Sequence, residues 1–262
     1  MNEWTYDPSP SIDKNINEQL TVFPREPDMT FSILRGIGTI LLRGFLRIYF
    51  RLEISGRENL PRKESFVLIA NHSSHLDAVA LLAALPLRSI DQTFAVAAKD
   101  YFFSSLFRSF LATIFVNALP FDRRLRTRES LELCADVLNA SKRALIMFPE
   151  GSRSVNGQLQ PFKKGLGVLT AGTDRLVVPA TIEGAFTAWP KGSVFPKPRK
   201  VRVIIGRPLT FKGLPRNENG YLEATLMAQE AVRALGNHDP STSEVEQGPQ
   251  PKRRIDHVSE EM

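Results

Sequence analysis

Phe66-Val-Leu-Ile-Ala70 is a short apolar run, partly β-branched and bounded by polar residues, which predicts a buried strand. The same reasoning predicts strands over Thr93 to Ala98, Ala112 to Asn117, Ala144 to Phe148, Leu176 to Ile182 and Val201 to Ile205. Between two of these, Leu131, Cys134, Val137 and Leu138 recur at helical spacing and predict a helix from Arg128 to Ser141. Tyr221 to Leu235 reads as a closing helix with Gly236 as its stop signal. Alternating strands and helices predict an α/β fold: a central mixed, mostly parallel sheet flanked by helices. Pro179 interrupts one strand-like run, which predicts a sheet edge, a bulge or a strand end there.

Ahead of these elements, residues 29–52 are mostly apolar, but Arg35, Arg43, Arg47 and Arg51 break the segment up. Its longest charge-free run is seven residues, far short of the roughly 20 needed to cross a bilayer. On a helix the four arginines fall within about 160° of one another. Phe31, Ile33, Ile37, Leu41 and Phe45 occupy the opposite side. An amphipathic helix of this kind suits a membrane interface; the competing expectation is a surface helix packed on its own domain. Residues 1–28 and 236–262 lack sustained periodicity and are expected to be a flexible lead-in and a disordered tail, leaving 53–235 as the α/β domain. The lead-in has neither the basic start nor the apolar core of a signal peptide.

Charge sharpens this division. Residues 29–235 hold 29 of the 34 basic residues but 16 of the 28 acidic ones, a net of +13. A strongly cationic folded part suits anionic partners such as phosphates or phospholipid surfaces. One cysteine, Cys134, excludes an intramolecular disulfide and a thiolate-built metal site, as expected for a reducing compartment.

Chemistry concentrates just after two of the expected strands. Asn71-His72-Ser73-Ser74-His75-Leu76-Asp77 follows Ala70, and the carboxyl end of a strand is where reactive side chains collect in α/β folds. Five positions on one regular helix would leave His72 and Asp77 about 140° apart. They meet if His72 lies in the turn and Asp77 in the first turn of the next helix, where the carboxylate orients the imidazole and raises its basicity. The competing expectation is that Asp77 merely favours the helix N-terminus and the histidines are structural. Phe148-Pro149-Glu150-Gly151-Ser152-Arg153 follows another apolar run, offering a glycine turn and a planar guanidinium for phosphate oxygens. Lys163 and Lys164 can add charge to the same pocket, as can the arginines of Pro120-Phe121-Asp122-Arg123-Arg124.

Together and in this order, these segments resemble the glycerophospholipid acyltransferase family, from about Leu52 to about Ile205. The family's NHxxxxD block falls on Asn71, His72 and Asp77, and its FPEGxR block on Phe148 to Arg153. Its second block is matched loosely by Phe121-Asp122-Arg123, and its Val-Pro by Val178 and Pro179. The resemblance implies acyl transfer from an acyl thioester, coenzyme A or acyl carrier protein, to a hydroxyl of lysophosphatidate, without a covalent intermediate, cofactor or metal. His72 held by Asp77 would be the catalytic base. Glu150, Gly151, Arg153, Arg123, Asn71, Lys163 and Pro179 would serve substrate binding, with Glu150 and Arg153 on the glycerol phosphate. Backbone N–H groups near Gly151 would steady the oxyanion. Such a protein is expected as a peripheral or monotopic membrane protein on the cytoplasmic face, with acyl carrier protein a candidate partner.

The acceptor could be another lysolipid, glycerol 3-phosphate or an amino-lipid, or the chain a non-catalytic binder of anionic lipid. A serine hydrolase is disfavoured because no G-x-S-x-G elbow surrounds Ser152 or Ser154. His72, His75 and Asp77 alone make an incomplete metal site. No nucleic-acid partner is expected, since no basic-aromatic interleaving is present.

Overall fold

A computed structural model describes residues 29–98, 118–121, 127–190, 192–193 and 195–237. The strand expected at 112–117, Arg123 and nearly all of both terminal segments lie outside the described residues.

The architecture is the expected one, a mostly parallel sheet covered by helices. Its strands are β1 (Glu53–Ser55), β2 (Phe66–Ala70), β3 (Thr93–Ala98), β4 (Ala118–Phe121), β5 (Ala144–Met147), β6 (Leu176–Glu183) and β7 (Arg202–Ile205). They line up in the order β1-β7-β6-β2-β5-β3-β4. All neighbouring pairs are parallel except β6 with β7, which is antiparallel. β2 lies between β5 and β6, and all five of its residues are buried. Phe66, Leu68 and Ala70 enter one core while Val67 and Ile69 enter the other, the period-two alternation of a strand covered on both faces.

Helices α1 (Met29–Tyr49), α2 (Asp77–Ala84) and α5 (Ala185–Ala188) contribute Leu46, Leu81 and Ala185 to the first core. On the other face α3 (Thr127–Asn139), α4 (Gly165–Thr170) and α6 (Glu218–Asn237) bury Cys134, Leu166 and Val232. α6 begins three residues before the expected start because the Asn217 side chain accepts the Gly220 N–H at 3.0 Å, an N-cap. Gly236 does not stop it; the helix runs through to Asn237. Pro179 is not on an edge strand, since β6 has neighbours on both sides. It sits where β7 has run out, between the Ala180–Ile205 pair and the Val177–Leu209 bridge. There a missing donor leaves no ladder bond broken.

α1 corrects the expected disposition of its arginines. Arg35, Thr39, Leu42, Arg43 and Leu46 form one stripe at helical spacing that packs on the domain, rather than the arginines forming a common outer face. Arg35 pairs with Asp91 at 3.1 Å. Arg43 donates to the Leu85 carbonyl and Arg57 to that of Ala83 at 2.9 Å. Both thereby satisfy orphan carbonyls at the negative end of α2. Arg51 lies beyond the helix at φ 48. The outward face carries Ile37, Ile40, Leu41, Phe45 and Ile48. No helix among the described residues is long and apolar enough to cross a membrane.

α4 crosses α6 at a distance only glycine permits. A Cβ on Gly167 would sit 2.0 Å from the Tyr221 carbonyl oxygen. Gly167→Ala is therefore expected to lower unfolding free energy by about 1–3 kcal/mol, the usual effect of overpacking. Urea denaturation measures this, and an unchanged midpoint would show that the two helices separate freely.

Candidate active site

The carboxyl ends of β2 and β5 are neighbours in the sheet, so the loops that follow them are forced together. After β2 the chain turns through Asn71 to Leu76 and enters α2 at Asp77. Asp77 is fully buried, in the first turn, where the helix dipole favours negative charge. Its Oδ2 accepts the backbone N–H groups of Ser73 at 2.6 Å and Ser74 at 2.7 Å, and meets His72 Nδ1 at 2.9 Å. An ionised carboxylate only accepts, so Nδ1 carries the ring proton. Nε2 is thereby left as the basic nitrogen. The imidazole stacks on Phe148 with centroids 4.1 Å apart and planes at 17°.

The loop after β5 grips His72 by its backbone. Glu150 Oε1 accepts the His72 N–H at 2.7 Å, and the His72 carbonyl accepts the Ser154 N–H at 2.8 Å. The other oxygen of Glu150 accepts the Gln160 N–H at 3.1 Å. Glu150 is 4% exposed. One oxygen thus joins this loop to the first and the other braces the loop internally, and the carboxyl is not presented to a phosphate as the sequence led one to expect. Burial pushes its carboxyl up to about 7; the two N–H bonds oppose the shift and the charge of Asp77 adds to it.

Gly151 adopts φ 73, and a Cβ there would lie 2.8 Å from Cε of Lys163. Glycine thus serves both the left-handed turn and the passage of the lysine stem over it. The Gly151 N–H is bound to the Phe148 carbonyl at 3.0 Å, which removes it as an oxyanion donor. Lys163 is exposed and tied to this loop through its N–H to the Pro149 carbonyl at 2.9 Å. Arg153 reaches the first loop, its Nη1 against Nε2 of His75.

Two other expected substrate contacts have different surroundings. The amide of Asn71 accepts the Ile182 N–H at 2.7 Å and donates to the Ile182 carbonyl at 3.0 Å. It clips the end of β2 to β6 rather than facing a ligand. Pro179 lies within β6 opposite Ile69. Arg123 lies outside the described residues.

A family model described as Acyltransferase matches residues 51–183, half of the chain, and spans both loops. The chain belongs to the acyltransferase family. Among curated proteins it is 30% identical over 164 residues to a 1-acyl-sn-glycerol-3-phosphate acyltransferase of Limnanthes alba, covering 63% of this chain and 53% of that one. It is 32% identical over 165 residues to the chloroplastic enzyme BAT2 of Brassica napus, 62% of this chain and 46% of the relative. The alignments thus span about half the length of these relatives. The solved 1-acyl-sn-glycerophosphate acyltransferase of Thermotoga maritima shares the fold, with a TM-score of 0.59 at 22% identity over 87% of this chain and 90% of that one.

Several residues of this site carried no signal in the sequence. Gln160 acts through its backbone, as do Ser73 and Ser74, and backbone donors have no residue signature. Phe148 was legible as part of its block, but its stacking on His72 was not.

The folded chain holds the Glu150 proton more tightly than the unfolded chain, so this group's contribution to stability is full below pH 4.5 and declines as pH rises to about 7. Urea melts of the wild type and Glu150→Gln across that window should show the wild type losing stability relative to the variant. A constant difference would mean Glu150 does not titrate there.

Proposed function

We propose that this chain transfers a fatty acyl group from a phosphopantetheine thioester, on coenzyme A or acyl carrier protein, to the free hydroxyl of lysophosphatidate, giving phosphatidate. The observation that carries the reading is the His72–Asp77 pair, with Nδ1 bound at 2.9 Å and the ring held at a sheet's carboxyl edge. The names of relatives in plants and in mouse, where a 1-acyl-sn-glycerol-3-phosphate acyltransferase alpha is 25% identical, support this acceptor.

In this mechanism His72 Nε2 takes the proton from the acceptor hydroxyl as its oxygen attacks the thioester carbonyl carbon. Asp77 steadies the imidazolium that forms. The tetrahedral intermediate collapses by breaking its C–S bond. The thiolate, with a pKa of roughly 8.5, leaves readily and takes the proton back from His72. Arg153 and Lys163 supply positive charge for the acceptor phosphate. Glu150 and Asn71 position the two loops.

The outer face of α1 supports a second element of the proposal, peripheral binding to an anionic bilayer. Leu41 is 68% exposed and Ile48 82%, within a continuous apolar stripe on a cationic domain. Phe195, itself exposed and followed by Lys197 and Arg199, extends this surface. Tyr49 Oη donates to the Pro196 carbonyl at 3.1 Å and ties that loop to the end of α1.

Two tests follow. With purified protein, an acyl thioester and lysophosphatidate, His72→Ala should lower kcat by about a hundredfold or more, and Arg153→Ala should chiefly raise the acceptor KM. Near-normal turnover by His72→Ala would remove it as the base. In co-sedimentation with phosphatidylglycerol vesicles, Leu41→Asp with Ile48→Asp should abolish binding yet leave transfer to a short-chain, monomeric acceptor intact. Retained binding would reject the interfacial face.

A further inference from the structure

We propose that His75 is a positioning residue that holds Arg153 in the orientation needed to grip the acceptor's phosphate, an inference that rests on the role given to Arg153 above. The two residues lie 78 positions apart in the chain, yet Nη1 of Arg153 meets Nε2 of His75. A guanidinium has donors only, so the imidazole nitrogen accepts and His75 is neutral while the contact is made.

His75 is itself fixed. Its ring lies against Trp189 with centroids 5.1 Å apart and planes at 41°. Trp189 is held at three points: its indole N–H donates to the Ser193 carbonyl at 3.0 Å, its backbone N–H to the Ala185 carbonyl at 2.9 Å, and its carbonyl accepts the Ser74 hydroxyl at 2.7 Å. Ser74 also donates its backbone N–H to Asp77. One short turn thus carries two imidazoles three residues apart, both referenced to the same carboxylate. His72 faces the hydroxyl to be deprotonated, and His75 aims the cation that would fix the other end of the same substrate.

An arginine side chain left mobile must be ordered when the phosphate binds, and immobilising one such side chain weakens binding by roughly 3- to 10-fold. Ordering it through His75 moves that penalty into folding. The contact takes one of the guanidinium's five N–H donors.

The test compares His75→Phe, which keeps an aromatic ring against Trp189 but removes the acceptor, with His75→Gln, whose amide oxygen restores one. His75→Phe should raise the KM for lysophosphatidate by about 3- to 10-fold, with kcat within twofold and the thioester KM unchanged. His75→Gln should recover most of the loss. With monoacylglycerol, which has no phosphate, wild type and His75→Phe should behave alike. In an Arg153→Ala background, His75→Phe should add nothing. If Arg153→Ala raises the acceptor KM while neither His75 variant does, His75 does not position Arg153 and the inference falls alone. Should Arg153→Ala leave that KM unchanged, both the inference and the phosphate role of Arg153 fall. Equal losses in His75→Phe and His75→Gln, with kcat rather than KM affected, would also overturn it.

Discussion

A single buried carboxylate oxygen organises this molecule. Oδ2 of Asp77 draws in two consecutive backbone N–H groups and the ring nitrogen of His72, which fixes the path of the chain between β2 and α2. The other oxygen, Oδ1, is buried without a hydrogen-bond partner among the described residues. All three contacts thus converge on the one oxygen that faces the imidazole.

His72 is constrained from three directions at once. Asp77 holds its ring, Glu150 its N–H, and Ser154 its carbonyl. The last two come from the loop after β5, which stands next to β2 because their strands are paired. A basic nitrogen held on both backbone and side chain retains one orientation, and orientation is what separates a general base from an ordinary surface histidine. Glu150 has both oxygens turned to backbone donors, so it braces the loops rather than facing solvent.

Much of this was legible from the chain. Five of the strands announce themselves as apolar runs, Phe66 to Ala70 above all because it is buried on both faces. β1 was missed because three residues at a sheet edge, exposed at both ends, make no run. The start of α6 was missed because the capping amide of Asn217 lies outside the apolar periodicity. At the site, the meeting of His72 and Asp77 follows from a turn leading into a helix. The fate of Glu150 and Asn71 does not, since a polar side chain beside a reactive residue reads as a ligand contact until its backbone partners are known. The arginines of α1 misled for a related reason. Helical geometry tells which residues share a side but not which side meets a neighbour, and the bare carbonyls ending α2 drew Arg43 inward.

The polarity of β1 has an effect out of proportion to its three residues. Because β7 runs antiparallel to β6, and β1 follows β7, Glu53 aligns with Arg202 and hence with Glu183, at the same pole of the sheet as His72. The chain therefore hands over from α1 at the pole that carries His72 and Asp77. With β1 reversed, α1 would join the sheet at the far pole, about 17 Å away for a five-residue strand such as β2. As built, the C-terminal end of α1 and the loop that carries His72 share one pole of the sheet.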